Sequence, residues 1–225
     1  MSCGTRAVAV AGTTLVLDAE RALYWPEQQA LIVADLHLGK GQVLREHGLA
    51  MPAGGSSASL ARLDGLLARH RSQTLWVLGD LIHGRTHANA AWIEAFVQWR
   101  ARHPQLAVRL VRGNHDRHVN CAELGIEDVG DAVRLGPFDL VHDHAPNGAG
   151  FTLSGHLHPG VVLRERHAPS VRLPAFWLAQ QNLVLPAFGA LTGLAPYPAP
   201  PGTTIYACAG DALIEVSRAR RTRSG

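Results

Sequence analysis

Five short apolar runs, each followed within three residues by a carboxylate, amide or imidazole side chain, constrain this chain more than any other feature. They are residues 31–34 (LIVA), 75–78 (LWVL), 106–111 (LAVRLV), 138–141 (FDLV) and 151–153 (FTL). Runs of this length bounded by turn residues read as buried strands. Between the first three lie two helical patterns. Residues 57–70 repeat Leu60, Leu63, Leu66 and Leu67 on one face, and residues 89–102 repeat Trp92, Ile93, Phe96 and Trp99. Strand and helix therefore alternate, which implies right-handed crossovers and a sheet with helices packed outside it. The second half shows strands and turns with almost no helical period. The expected fold class is α/β, a layered sandwich. The early run AVAVAGTTLVL alternates like one further strand.

At 225 residues the chain is expected to form one domain, 1–225, with a basic, disordered tail at 218–225. A composition of 47% hydrophobic and 17% charged residues excludes a disordered or fibrous protein. Cys3, Cys121 and Cys208 are odd in number and scattered, matching neither a disulfide framework nor a CxxC site, so a cytoplasmic location is expected. The long uncharged stretch 173–202 is interrupted by Gln180, Gln181, Asn182 and several glycines and prolines, so it reads as strand and loop, not a membrane span. The net charge of +3 permits a polyanionic partner without demanding one.

Each strand runs into candidate ligands: Asp35-Leu36-His37, Gly79-Asp80, Arg112-Gly113-Asn114-His115-Asp116, His142-Asp143-His144 and Gly155-His156-Leu157-His158. Ligand sites form at the C-terminal edges of such sheets. In extended backbone, residues i and i+2 face the same way, so Asp35 and His37 are expected to grip one ion, and His156 and His158 are likewise expected to converge on the site. Oxygen and imidazole donors without cysteine suit Mn²⁺, Fe or Zn²⁺. Gly79, Gly113 and Gly155 precede ligands where a positive φ or a close backbone approach is expected. His70, His103 and His118 read as surface or hydrogen-bonded histidines.

The pattern D-x-H, G-D, G-N-H-D, H-x-H and G-H-x-H resembles the calcineurin-like metallophosphoesterase superfamily. That resemblance implies two facing mixed β-sheets flanked by helices, with two divalent metals at the strand ends. Carried over, it places Asp35, His37 and His158 on one metal, Asn114, His142 and His156 on the other, and Asp80 between them. His142 is preferred to His144 because the first histidine of the family motif coordinates, although Asp143 replaces the usual glycine. ADLHLGK, GDLIHGR, RLPAFW and LVLPAFGALTG further resemble the bacterial ligase-associated DNA damage response endonuclease (PdeM) subgroup. This implies a manganese-dependent phosphodiesterase or nuclease acting on DNA, in functional association with a DNA ligase and a helicase.

The expected mechanism is attack on phosphorus by a hydroxide shared between the metals, in line with the leaving group. His115 would protonate the leaving oxygen, with Asp116 orienting its ring. Lys40, Arg45, His83 and Arg85 are candidates for substrate phosphate. The same site would also suit a phosphatase or nucleotide pyrophosphatase, and a non-catalytic scaffold of this fold is the remaining alternative.

Overall fold

A computed structural model describes residues 4–83, 91–143, 150–164, 169–195 and 198–216. The first sheet crosses in chain order through β1 (Thr5–Val10), β2 (Thr13–Asp18), β3 (Ala22–Trp25), β4 (Ala30–Ala34), β5 (Thr74–Leu78), β6 (Ala107–Val111) and β7 (Glu127–Asp128). From β1 to β4 neighbours are antiparallel, and from β4 to β7 they are parallel. Between β4 and β5 run α1 (Lys40–Glu46) and α2 (Gly55–His70), and α3 (Ala91–Arg102) lies between β5 and β6.

The second sheet contains β8 (Ala132–Leu135), β9 (Phe138–Val141), β10 (Phe151–Ser154), β11 (Gly160–Leu163), β12 (Val171–Leu178), β13 (Asn182–Val184), β14 (Thr204–Ala209) and β15 (Ala212–Val216). Its order is β15-β14-β12-β13-β10-β9-β8, with β11 on β12. Strands β9, β10 and β13 are parallel neighbours, and the other pairs are antiparallel. Both sheets are thus mixed, in line with the layered α/β expectation.

The unbroken apolar runs have a direct cause. Every residue of β4 is buried, because the sheet is covered on both faces. Leu31 and Val33 join Leu63, Leu66 and Trp99 beneath the helices. Ala30, Ile32 and Ala34 point the other way, against Phe138, Leu140, Leu153 and Phe176 of the second sheet. The leucines that marked α2 and the tryptophans that marked α3 are the ones buried. Truncating one such leucine to alanine costs about 2–5 kcal/mol. Trp25 meets Phe138 edge-on at 4.9 Å and fastens the sheets together.

Two details depart from the sequence reading. The run AVAVAGTTLVL is two strands, folded back at Ala11 (φ 47°) and Gly12 (φ 76°). Positive φ at both central residues of a two-residue hairpin matches the right-handed twist of its strands. Helix α1 has seven residues and no buried position, too little to write an apolar period. His70 and His103 pair with Asp18 at 2.9 Å and Asp64 at 2.6 Å, as hydrogen-bonded histidines. The basic tail, His144 and Arg85 lie outside the described residues.

Candidate metal centre

The ligand-bearing loops leave β4, β5 and β6 of the first sheet and β9 and β10 of the second at one common edge. The loops after β4 and β5 are zipped side by side. Asp35 N–H donates to Gly79 O at 3.1 Å, His37 N–H to Asp80 O at 2.9 Å, and Leu38 N–H to Leu81 O at 2.8 Å. The backbone here is not extended as expected. Asp35, His37, Asp80, His156 and His158 have φ of 54°, 48°, 49°, 66° and 47°, in the left-handed region that side chains rarely adopt. Strain of this kind persists where surrounding structure imposes it, typically at functional sites.

The glycines explain how the loops approach so closely. A Cβ on Gly79, which has φ of 74°, would lie 2.1 Å from His142 Nδ1. One on Gly155 would lie 2.6 Å from Ala34 Cβ and 2.7 Å from Asp35 Oδ2. Gly113 shows the same close approach, to Asp80 N at 2.3 Å.

Two groups of side chains converge: Asp35, His37 and His158, and Asp80, His142 and His156, each with ligand atoms within 4.8 Å of one another. His156 and His158 therefore face different groups within the one centre. Within the first group His158 Nε2 lies 3.4 Å from Asp35 Oδ1 and 3.3 Å from His37 Nε2. Within the second, His142 Nε2 lies 3.5 Å from Asp80 Oδ1 and 3.0 Å from His156 Nδ1. Asp80 reaches across, with Oδ2 3.9 Å from His37 Nε2. The Asn114 amide stands 3.5 Å from His156 Nδ1.

Each carboxylate has one oxygen engaged by backbone. Asp35 Oδ2 accepts from His156 N–H at 2.9 Å, and Asp80 Oδ1 from His115 N–H at 3.0 Å. Asp35 is fully buried, and its Oδ1 has no hydrogen-bond partner. A buried, unpaired carboxylate oxygen facing imidazole nitrogens is costly unless a cation neutralises it. His142 Nδ1 lies 3.0 Å from Leu78 O. A carbonyl only accepts, so Nδ1 carries the proton and the Nε2 lone pair is left for the centre. Burial, then Lys40, pushes the His37 imidazole down to about 2, so it is a neutral donor at physiological pH. The donor set fits divalent cations.

His115 sits at the mouth. Its side chain is 43% exposed, with Nε2 4.0 Å from Asp80 Oδ2. The orienting role expected of Asp116 is not what its contacts serve. Its buried carboxylate accepts from Gly113 N–H at 2.9 Å and Ile82 N–H at 3.3 Å, bracing the loop after β6 against the loop after β5. Burial raises its carboxyl above the usual carboxylate range.

The ring that does lie beside His115 is His83, with centroids 4.6 Å apart. His83 Nδ1 is also 3.3 Å from His37 Nδ1, within hydrogen-bond reach of it. Burial, then Lys40, lowers its pKa to about 4. Sequence reasoning placed His83 only among phosphate contacts. The signal for its position is the parallel pairing of Leu38 with Ile82, which brings the residue after Ile82 against the first ligand loop.

Comparison with known proteins gives three findings. The family model described as calcineurin-like phosphoesterase matches residues 29–189. A nuclease, MPE, from Pseudomonas putida is 39% identical in a solved structure with a TM-score of 0.81, covering 94% of this chain and 100% of that one. Yfce, a phosphoesterase from E. coli, is 20% identical with a TM-score of 0.46, covering 83% of this chain and 97% of that one. No curated protein matches the chain.

Proposed function

This chain belongs to the calcineurin-like phosphoesterase family and is a metal-dependent phosphoesterase, and on that premise we propose that it is a nuclease that cuts phosphodiester bonds in DNA. The observation that carries the reading is the pair of ligand groups joined through Asp80 at one strand edge. The likeness to the Pseudomonas nuclease supports the choice of substrate class.

In this reading Asp35, His37 and His158 would hold one divalent ion and Asn114, His142 and His156 the other, with Asp80 available to both. Manganese is the proposed ion. When bound, the pair supplies Lewis acidity at the phosphoryl oxygens and makes water nucleophilic at neutral pH. The chain itself supplies alignment and a proton. Asp35 and Asp80 are fixed by backbone N–H groups, and His142 keeps one tautomer through Leu78 O. Water adds to phosphorus and gives up a proton to solvent, the bond to the leaving oxygen breaks, and His115, open to solvent at the mouth, donates the proton that oxygen takes up. His83, beside both His115 and His37, positions those rings. A cytoplasmic role in DNA repair, alongside a DNA ligase and a helicase, is part of the proposal, supported by the RLPAFW and LVLPAFGALTG segments.

The test is an assay of the protein with Mn²⁺ on a phosphodiester reporter, a monoester reporter, and single- and double-stranded DNA. Cleavage of the diester and of DNA is expected. His115→Ala should retain two ions yet lose most activity on substrates with poor leaving groups. Full activity there removes the proton-donor role, and hydrolysis confined to the monoester removes the nuclease reading.

A further inference from the structure

Beside the metal centre lies a cleft that shares His37 with it. Glycines make up part of its wall, Gly41, Gly54 and Gly55 presenting backbone beside Gln42, Ser57 and Leu191. Two cations of α1, Lys40 and Arg45, line it, and among the described residues no acid does. Arg45 Nη1 donates to Pro52 O at 3.1 Å, which fixes the guanidinium at the rim. Lys40 lines the cleft alongside His37, near enough to Asp80 and Asp35 to feel their charge. Ser56 Oγ accepts from Gly39 N–H at 3.0 Å and ties the start of α2 to the start of α1. The first turn of α2 carries no acidic residue, and its positive end adds to the field of the two cations. A cationic cleft with exposed backbone, next to a phosphoryl-transfer centre, suits a compact anion.

We propose that this cleft binds a second phosphate of the substrate, adjacent to the phosphodiester being cut, with Lys40 and Arg45 as its ligands. The proposal rests on the phosphodiesterase reading above. The second phosphate is the next one along a nucleic acid strand, and a nucleoside pyrophosphate is the other source of the same chemistry.

The test uses the Mn²⁺-loaded protein on a dinucleoside monophosphate, the same compound carrying a terminal phosphate at either end, a trinucleotide, and a dinucleoside pyrophosphate. The added strand phosphate should raise kcat/KM about tenfold, the effect of one charge-assisted contact. Lys40→Gln and Arg45→Gln should abolish most of that preference, chiefly through KM, and Arg45→Lys should restore part of it. On longer single strands each variant should flatten the slope of log KM against log salt by about 0.7, one phosphate contact. Melting temperatures within about 2 °C of the parent would separate these losses from misfolding. A parent enzyme indifferent to the added phosphate, or variants that keep the preference, overturn the cleft alone. A preference confined to the pyrophosphate overturns the strand as its source. Failure to cut any of these diesters overturns the nuclease reading and the cleft with it.

Discussion

The first sheet delivers its charged ligands from beneath: Asp35 is fully buried and Asp80 nearly so. The second sheet delivers only imidazoles, and His156 and His158 are partly open to solvent. One side of the centre therefore holds two buried carboxylates, and the other a set of imidazoles, two of which lie nearer the exit. The division follows from solvation. A carboxylate gains most as a cation's counter-charge where water is excluded, whereas a neutral imidazole loses little by facing water.

That contrast predicts a ranking. Asp80→Ala should lower turnover of a phosphodiester reporter by about 10³-fold or more, ~4 kcal/mol of barrier, and reduce bound metal measured by elemental analysis. His158→Gln should cost roughly ten times less. Equal losses would break the contrast. Where the sheets meet, Gly155→Ala should lower the melting temperature by about 4–8 °C, since overpacking of this kind costs about 1–3 kcal/mol. Gly193→Ala, with nothing within 4 Å of its added carbon, is the control expected to leave the melt unchanged.

Smaller effects sharpen the picture in metal-free protein. Asp35→Asn removes a buried charge and should raise the melting temperature in EDTA by about 2–4 °C, roughly 1 kcal/mol, while abolishing activity when Mn²⁺ is supplied. A fall in EDTA would mean the carboxylate is not destabilising there. In the loops of the first sheet, the folded-state pKa values of His37 and His83 lie below the ordinary 6.5, at about 2 and about 4. Unfolding lets both rings take up protons, so the stability they contribute is present above pH 6.5 and is lost as pH falls toward about 4. Melting in EDTA across that range should show the decline, and His83→Gln should make it shallower. A flat profile would place both rings in contact with water.

The strands of the first sheet were readable because burial on both faces erases alternation and leaves runs such as LIVA and LWVL. The ligand loops were readable because few surfaces place so many carboxylates and imidazoles directly after such runs. Their left-handed backbone was not, since an Asp or His in that conformation has no different spelling. The role of Asp116 was misread for a related reason. Adjacency to His115 is visible in the chain, but the amides of Gly113 and Ile82 that claim its oxygens appear only when the loops after β5 and β6 are side by side. His83 was likewise hidden until β4 and β5 were known to be parallel neighbours.

The segment LPAFGALTG binds none of the proposed ions, yet it closes the arrangement. Ala187 bridges to Ala34, Phe188 N–H donates to Ala34 O, and Gly189 N–H donates to Asp35 O at 3.0 Å. Asp35 is also held by His156 N–H, 121 residues downstream. Contacts of such sequence separation form late, because a long stretch of chain must first be ordered. During synthesis, the earliest proposed ligand waits for nearly the last strand-end motif before it is fixed. A truncated product ending before residue 156 lacks two proposed ligands and the amide that seats Asp35, so an interrupted round of translation should release no active phosphoesterase.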